Sequence, residues 1–354
     1  MEGLVSAADA LSVYAGRRVL VTGHTGYKGS WLCLWLKRLG AEVIGFSDSV
    51  PTYPSHFEAL ELDIDDRRGD ICNPATVDAA IAGTKPEIVF HFAAQSLVRK
   101  AYADPLATYR ANVLGTLAVL QSALRSGVGS VVVATTDKVY RNDESGRRYS
   151  EDDELGGSDP YSASKSCAEL ATRSFAESLI GGGELRIATV RAGNVVGGGD
   201  WSEDRLVPDL MRAAFSGEAA IIRNPQSTRP WQHVLDVLAG YLQIGARLLA
   251  WDQGGFDSWN LGPKSQGSIR VQDLLDAARA QIPQLKVELR PDDSGRAESG
   301  LLQLDSSKAM SQLGWRPIWE DQLLERTVEW YRAFYEQGRV ISNEQLDAYE
   351  KALG

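Results

Sequence analysis

From Val19 to Arg191 the hydrophobic and polar positions follow a pattern that predicts strands and helices in alternation. Short apolar runs rich in β-branched residues indicate strands, and longer amphipathic segments indicate helices. Strands are predicted at 19–21, 41–46, 86–92, 129–135 and 185–191, and helices at 74–82, 105–126 and 161–179. This order is typical of a doubly wound α/β fold, in which helices cover both faces of a parallel sheet.

Beyond residue 191 the alternation becomes irregular. Three consecutive glycines, Gly197 to Gly199, predict a flexible loop, and a strand predicted at 259–261 could return to the sheet. Helices are predicted at 234–249, 269–282 and 320–335. We therefore expect a Rossmann domain at 1–191 and a smaller, mostly helical substrate-binding domain at 192–354.

Composition narrows the class of protein. The chain has 354 residues, 44% hydrophobic and 24% charged, which is typical of a globular protein. Its net charge of −10 argues against binding to nucleic acid or to an anionic membrane. Three dispersed cysteines, and no signal-like or membrane-spanning run, predict a cytoplasmic protein.

A glycine-rich turn follows the first strand and opens an apolar helix. Its three glycines are spaced three residues apart, so the backbone can approach a diphosphate closely. The first amides of the helix would bind that diphosphate without a cationic side chain. The predicted cofactor-binding residues of this turn are Gly23, Thr25, Gly26, Tyr27, Lys28 and Gly29.

Further cofactor contacts are predicted at the ends of the next strands. Asp48 lies about 20 residues after the turn, where a carboxylate accepts from the adenosine ribose and favours NAD over NADP. Asp70 follows a possible third strand and either accepts from the adenine amino group or is an ordinary turn residue. At Ala93, Ala94 and Gln95, paired small residues let a cofactor lie against the backbone.

Candidate catalytic groups lie in the middle of the chain. Thr136 follows the strand predicted at 129–135, at the edge where open α/β sheets bind ligands. Tyr161 and Lys165 are four residues apart on a predicted helix and therefore share one face. A neighbouring ammonium and a nicotinamide cation both favour the phenolate. The three residues predict removal of a proton from a sugar hydroxyl together with hydride transfer to NAD.

These motifs together resemble the extended short-chain dehydrogenase/reductase family, over nearly the whole chain. Within that family, the segments 24–31, 136–138, 190–201 and 223–234 are similar to the nucleotide-sugar dehydratases that act on CDP-glucose. The resemblance implies NAD as cofactor and three steps: oxidation at C4, elimination of water across C5 and C6, and return of the hydride to C6. It also implies a homodimer formed through the helices at 105–126 and 161–179.

The same resemblance implies an acid and a base for the elimination. Asp137 would protonate the C6 hydroxyl, and Lys138 would remove the C5 proton. Because a lysine is ordinarily charged at neutral pH, Lys138 could instead stabilise the enolate, and the sequence leaves both roles open.

The irregular second part supplies donors suited to a diphosphate and a sugar. The predicted substrate-binding residues are Asn194, Arg205, Arg223, Arg229 and His233. His24, His56 and His91 lack ligand-like spacing, so no metal site is predicted.

Two other functions stay open from sequence alone. A nucleotide-sugar 4-epimerase or decarboxylase shares the glycine turn and the Tyr161–Lys165 pair, but needs no acid and base after Thr136. A non-catalytic NAD-binding sensor shares the scaffold, although such proteins commonly lose the tyrosine or the lysine.

Overall fold

The computed structural model describes residues 10–181, 183–264, 269–290 and 302–354. Its centre is a sheet of seven strands, β1 (Arg18–Thr22), β2 (Glu42–Ser47), β3 (Asp65–Arg68), β4 (Ile88–His91), β5 (Ser130–Ala134), β6 (Arg186–Ala192) and β7 (Gly255–Leu261). They lie in the order β7-β6-β5-β4-β1-β2-β3, and every neighbouring pair is parallel. Because the order reverses between β1 and β4, a ligand crevice opens at their carboxyl ends.

The helices are listed here in chain order. They are α1 (Tyr27–Arg38), α2 (His56–Leu60), α3 (Pro74–Thr84), α4 (Val98–Ala103), α5 (Pro105–Tyr109), α6 (Thr116–Arg125), α7 (Pro160–Phe175), α8 (Leu206–Ser216), α9 (Val234–Ala250), α10 (Val271–Gln281), α11 (Ser307–Gln312), α12 (Leu323–Gln337) and α13 (Ser342–Leu353). The segments Arg110–Gly115 and Ala176–Ile180 are π-helical, so the helix predicted at 105–126 is continuous but changes its winding in the middle.

Both faces of the sheet are covered, which confirms the doubly wound α/β fold. Val19 and Val21 lie in one apolar cluster and the intervening Leu20 in the other, since successive strand residues face opposite sides. Helices α1 and α9 pack on the first face, and α3, α6 and α7 pack on the second. The helices therefore hold the strand ends in fixed positions around the crevice.

The first apolar cluster continues into the second part of the chain. It joins Trp31 and Trp35 of α1 to Trp330 of α12, and all three side chains are fully buried. The strand β7 also returns from the second part and pairs with β6 at the edge of the sheet. The two parts thus share a core, and a domain boundary near residue 192 stays a prediction.

The glycine run Gly197 to Gly199 is a buried turn, so the flexible loop predicted there is wrong. A Cβ at Gly198 would lie 1.9 Å from the ring of Trp330, and one at Gly199 would lie 2.5 Å from the ring of His56. These glycines allow aromatic rings to pack directly on the backbone. Glycine composition alone does not distinguish such packing from flexibility.

Shorter strands join the remaining segments. Parallel pairs form between Val195–Val196 and Gln232–His233, between Ala219–Ile222 and Lys286–Leu289, and between Arg148–Tyr149 and Gln303–Leu304, while Thr228–Arg229 pairs antiparallel with Ile269–Arg270. All three cysteines are free thiols. Within the described ranges, no helix has the length and hydropathy that crossing a membrane requires.

Candidate active site

The glycine turn between β1 and α1 has the geometry of a dinucleotide site. Gly23 has φ +73°, and a Cβ there would lie 2.6 Å from the backbone nitrogen of Ala93. A Cβ at Gly29 would lie 2.2 Å from the carbonyl oxygen of Gly23. Helix α1 begins after Gly26, and no side chain caps it. Its first backbone amides therefore face the crevice without a hydrogen bond to a capping group. The turn therefore fits a diphosphate.

The side-chain hydroxyl groups of two residues of the turn are buried within the protein, and the predicted cofactor contact of these residues, through their backbone amides, stays a prediction. Thr25 is buried, and its hydroxyl donates to the carbonyl of Ser49, so it supports the loop that carries Asp48. The hydroxyl of Tyr27 is buried on the side of Gly197, where a Cβ would lie 2.6 Å from it. Sequence spacing places both residues in the turn, but it does not show where their side chains are directed.

The ammonium group of Lys28 lies on the catalytic side of the turn. It stacks over the rings of Phe92 and Tyr241, 5.6 and 5.9 Å from their centroids. Burial and the nearby Arg205 lower the pKa of Lys28 to about 8, while Asp137 opposes the shift. Lys28 is thus an electrostatic neighbour of the catalytic residues as well as a member of the cofactor turn.

Asp48 and Asp70 follow the adjacent strands β2 and β3 and are both exposed at the carboxyl edge of the sheet. Asp48 accepts from the amide of Ser49 at 2.7 Å, and Asp70 accepts from the amide of Cys72 at 2.8 Å. Each carboxylate is held in place while part of it faces solvent. This placement is compatible with the predicted contacts to ribose and adenine.

The segment after β4 is fixed by a residue that the sequence analysis missed. Asn112 is fully buried, donates to the carbonyl of Gln95 at 3.0 Å, and donates to the hydroxyl of Ser164 at 2.8 Å. The side-chain amide of Gln95 donates to Thr108, so this side chain supports the loop and its predicted cofactor contact is indirect. The signal available in the sequence was an asparagine within the otherwise apolar middle of the helix predicted at 105–126.

Asn112 thereby ties the Ala93–Ala94 segment to the helix that carries Tyr161 and Lys165. Those two small residues are half-buried beside the glycine turn, as a cofactor contact through the backbone requires.

The predicted catalytic trio comes together at the carboxyl end of β5. Tyr161 and Lys165 lie one turn apart on α7, and Tyr161 is close enough to Thr136 for that residue to lower its pKa. The ammonium of Lys165 donates to the carbonyl of Ala134 at 3.0 Å. Tyr161 and Lys165 are only 9% and 6% exposed, so water is largely kept from their polar atoms.

The electrostatics of this trio are set mainly by burial. Burial raises the pKa of Tyr161 to about 12, although the neighbouring Thr136 and the charge of Arg205 oppose the rise. Burial and the charge of Lys28 lower the pKa of Lys165 to about 7. Desolvation thus outweighs the opposing effects of Thr136 and Arg205 on Tyr161, and the expectation that Lys165 and a nicotinamide cation favour the phenolate stays a prediction.

Asp137 adds a carboxyl group to the same pocket. It is 3% exposed, and its Oδ1 accepts from the hydroxyl of Thr136 at 2.9 Å. Gly193 lies behind the carboxyl group, since a Cβ there would lie 2.1 Å from Oδ2. Lys138 follows in the same short turn, and its half-buried side chain has no hydrogen bond or ion pair with the residues that the structure describes.

A buried ion pair stands behind the catalytic strand end. Glu169 and Arg191 are 1% and 4% exposed and lie 2.9 Å apart. Glu169 also accepts from the hydroxyls of Thr135 and Thr189, which belong to or follow neighbouring strands. Since Glu169 is one turn from Lys165 on α7, the pair fixes the helix against β5 and β6. Arg191 therefore has a structural role.

Of the predicted substrate residues, Arg205 and Asn194 are nearest to this pocket. Arg205 pairs with Asp200 at 3.1 Å, reaches Ser96 at 3.3 Å, and lies close enough to Tyr161 to influence its pKa. Asn194 directly follows Gly193 and has φ +49°, a left-handed conformation that asparagine tolerates.

The other three predicted substrate residues differ in exposure. Arg223 is partly exposed and lies 3.4 Å from Asp204, and Arg229 lies on the ribbon paired with Ile269–Arg270. His233 is fully buried, and its Nδ1 accepts from the amide of Leu235 at the start of α9. The ring caps the helix and burial lowers its pKa to about 3, so the predicted substrate contact of His233 stays a prediction.

No group of three histidine, cysteine, aspartate or glutamate side chains that could bind a metal occurs among the described residues. The crowded glycine turn, its uncapped helix and the acids after β2 and β3 together fit a dinucleotide. The fold and site thus define a Rossmann protein in which a tyrosine and a lysine lie beside a nicotinamide-type cofactor site.

Comparisons with known proteins extend this definition. The chain belongs to the NAD dependent epimerase/dehydratase family, whose model matches residues 19–262. It is 41% identical over 350 residues to a CDP-glucose 4,6-dehydratase from Salmonella typhimurium, covering 96% of this chain and 98% of the relative.

Solved structures of related enzymes have the same fold as this chain. An epimerase from Methanothermobacter thermautotrophicus has a TM-score of 0.81 at 26% identity, covering 94% of this chain and 96% of that one. A dTDP-glucose 4,6-dehydratase from Streptomyces venezuelae, solved with NAD bound, has a TM-score of 0.76 at 26% identity, covering 91% and 100%. The predicted family and the predicted cofactor, NAD, are confirmed.

Proposed function

We propose that the protein converts CDP-D-glucose to CDP-4-keto-6-deoxy-D-glucose and water. The observation that carries this proposal is the buried carboxyl group of Asp137, hydrogen-bonded to Thr136 in the pocket of Tyr161. An oxidation and reduction at C4 requires only a tyrosine and a lysine, whereas loss of the C6 hydroxyl requires an acid. The similarity to the Salmonella typhimurium dehydratase supports the same reaction.

The first task of the protein is to remove the proton of the C4 hydroxyl. Thr136 and Tyr161 are close neighbours in the pocket, and we assign both to hold that hydroxyl between them. Bound NAD would accept the C4 hydride and return it to C6. Burial and the charge of Lys28 lower the pKa of Lys165 to about 7, and we assign Lys165, one helical turn from Tyr161, to exchange the proton with it.

The second task is elimination. A C4 ketone makes the C5 proton acidic and turns the C6 hydroxyl into a β leaving group. Asp137 is placed to protonate that hydroxyl, because its carboxyl group is buried beside Thr136. Lys138 is the base for C5 or the cation that stabilises the enolate, and its side chain has no hydrogen bond or ion pair to another described residue.

The nucleotide part would lie toward the second half of the chain. Arg205 joins the pocket to that half through Asp200 and Ser96, and its guanidinium can fork onto phosphate oxygens. Asn194 and Arg229 are our further candidates for contact with sugar and diphosphate. The preference for cytosine rests on the similarity to the relative alone.

The reaction is tested by incubating the purified protein with NAD and, separately, CDP-glucose, dTDP-glucose and UDP-glucose. We expect CDP-glucose to give a product lighter by one water in the mass spectrum. A sugar that changes configuration without losing mass would establish a 4-epimerase instead. If no sugar changes although NAD binds, the chain is a binding protein and the catalytic assignment fails.

We also propose a homodimer. Leu106 and Leu114 of the segment 105–126, and Leu170 and Leu179 of the segment 160–180, are 72%, 58%, 55% and 59% exposed. Leu120 and Ala123 of the same segment are buried inside the chain and so do not belong to this exposed surface. Exposed leucines on two adjacent helices are typical of a surface that a second copy covers.

Sedimentation velocity tests the dimer. Leu114→Asp should give a monomer, because a carboxylate would be buried at the interface. Leu289→Asp, at an equally exposed leucine of a remote strand, should stay dimeric. A monomeric parent protein or a dimeric Leu114→Asp variant contradicts the proposal.

The three free thiols further support a reducing compartment, and we propose the cytoplasm.

A further inference from the structure

The proposed acid and base of the elimination lie on a single short turn. Asp137–Val139 form one 3₁₀-helical turn of three residues, directly after Thr136. The bonds within this turn are long, since the amide of Lys138 is 3.4 Å from the hydroxyl of Thr136 and the amide of Val139 is 3.4 Å from its carbonyl. A 3₁₀ turn has poor hydrogen-bond geometry of its own. Its position therefore depends on contacts with neighbouring elements.

One such contact comes from the helix that carries the catalytic tyrosine and lysine. The carbonyl of Val139 accepts from the hydroxyl of Ser166 at 2.8 Å and from the amide of Gly156 at 2.8 Å. Ser166 is buried on α7, directly after Lys165. Its hydroxyl also lies 3.0 Å from the carbonyl of Ser162, so the contact with Val139 is the shorter of the two. Helix α7 thus holds the end of the turn.

A second contact comes from the residue that follows the turn. Tyr140 is buried, and its hydroxyl donates to Oδ1 of Asn260 at 2.7 Å and accepts from Nη1 of Arg191 at 2.8 Å. Burial raises the pKa of Tyr140 to about 12, although Arg191 and Asn260 oppose the rise, so the phenol keeps the proton that it donates. The ring stacks on Tyr149, with 5.2 Å between the centroids. Both hydrogen-bonding functions of the hydroxyl are therefore satisfied inside the protein.

The partners of Tyr140 belong to the strand ends that also support the acid. Arg191 of β6 and Asn260 of β7 lie opposite each other in the sheet. Two residues beyond Arg191, Gly193 lies against the carboxyl group of Asp137. The segment 137–140 thus runs along the end of β6, with its first side chain at Gly193 and its last at Arg191.

We propose that Tyr140 and Ser166 are positioning residues for the elimination of water, and that their hydroxyl groups hold the turn of Asp137 and Lys138 at the substrate. This inference rests on the proposed function, because it concerns the acid and base of that reaction. Oxidation at C4 depends on Tyr161 and Lys165, which helix α7 holds in place by itself. Loss of either hydroxyl should therefore slow the elimination and leave the oxidation intact.

Single-turnover kinetics of the full-length protein with NAD and CDP-glucose measure the two steps separately. Tyr140→Phe keeps the ring that stacks on Tyr149, and Ser166→Ala removes only the hydroxyl. In each variant reduced nicotinamide should form at the parental rate and accumulate, while the Kd for NAD stays parental. Dehydration should slow about ten- to a hundredfold, as displacement of a catalytic group by about 1 Å does. Dehydration at the parental rate in both variants, or equal loss of oxidation and dehydration, would overturn the proposal.

Tyr14→Phe is the matched control for general damage to the core. Tyr14 is fully buried before β1, at the amino edge of the sheet, and its hydroxyl donates to the carbonyl of Leu242 at 2.6 Å. The variant should lower Tm, because a buried carbonyl loses its partner, but the ratio of reduced nicotinamide to dehydrated sugar should stay parental. Accumulation of reduced nicotinamide in Tyr14→Phe would mean that the ratio reports stability, and the proposal would fail.

Hydrogen–deuterium exchange of the segment 136–141, followed by mass spectrometry, gives a readout that is independent of activity. Exchange should become faster in Tyr140→Phe and in Ser166→Ala and stay parental in Tyr14→Phe. Parental exchange in both site variants would show that the hydroxyls do not hold the turn.

The same measurements separate this inference from the proposed function. If the parent dehydrates CDP-glucose but both site variants keep the parental ratio of the two products, the inference is wrong and the function stands. If exchange changes as expected but the parent leaves CDP-glucose unchanged, the hydroxyls hold the turn, while the proposed function fails and with it their part in the elimination.

Discussion

Gly193 lies against the carboxyl group of Asp137, so closely that a Cβ at Gly193 would lie 2.1 Å from both Cγ and Oδ2. Gly193 directly follows β6, and Asp137 follows Thr136 at the end of the neighbouring β5. The two strands therefore deliver the acid and the backbone that supports it to one place. The carboxyl group of Asp137 can occupy this position because Gly193 has no side chain.

We expect Gly193→Ala to displace Asp137 and to lower kcat for dehydration about a hundredfold, the lower range for loss of a general acid. The matched control is Gly255→Ala in β7, where an added Cβ meets nothing nearer than 3.9 Å. Turnover of CDP-glucose and circular dichroism of both variants check this prediction. A folded Gly193→Ala variant with parental kcat would show that the carboxyl group has no fixed role.

The buried ammonium of Lys165 should make stability depend on pH. Its pKa falls from 10.5 to about 7 on folding, so below about pH 7 the folded protein bears the full cost of a buried charge. That cost is relieved as the pH rises from about 7 to about 10.5, because the folded state then holds fewer protons than the unfolded state. When the pH is raised from about 6 to about 9, the free energy of unfolding of the parent should therefore increase relative to that of Lys165→Met.

Urea unfolding at the two pH values measures this difference. Lys165→Met keeps a long apolar chain of similar volume, so the comparison isolates the charge. A difference between parent and variant that does not change with pH would mean that Lys165 has its ordinary pKa in the folded protein.

The Glu169–Arg191 ion pair should be essential for stability. Replacing Glu169 with Gln leaves the guanidinium of Arg191 buried without a charge partner, which costs about 3–5 kcal/mol of the free energy of unfolding. The double variant Glu169→Gln with Arg191→Met should recover part of that loss. Asp78→Asn, in the exposed pair with Arg125, should cost less than about 1 kcal/mol. Equal losses in the buried and exposed pairs would contradict the assignment.

The sequence was sufficient to predict those parts of the candidate site that depend on the spacing of neighbouring residues. The glycine turn, the acid after β2 and the Tyr161–Lys165 pair follow from residues within one strand, turn or helix, and each lies at the carboxyl edge of the sheet. Local periodicity also predicted the strands that carry Thr136 and Ala93, since buried parallel strands have continuous apolar runs.

The sequence was insufficient where a role depends on side-chain direction or on distant partners. Tyr27 and His233 belong to motifs of the right composition, yet their rings are directed into the core. Asn112 and Ser164 are 52 residues apart, and Tyr140 and Asn260 meet only after folding. Burial raises the pKa of Tyr161, which the sequence does not show because desolvation depends on the whole surrounding structure.

The most direct test of the central claim separates oxidation from elimination. With NAD and CDP-glucose, Tyr161→Phe should form neither reduced nicotinamide nor dehydrated sugar, because the C4 hydroxyl keeps its proton. Asp137→Asn should accumulate reduced nicotinamide, visible by its absorbance, while dehydration slows about a hundredfold or more. Dehydration by Asp137→Asn at the parental rate would contradict the account, since the buried carboxyl group would then have no part in the removal of water.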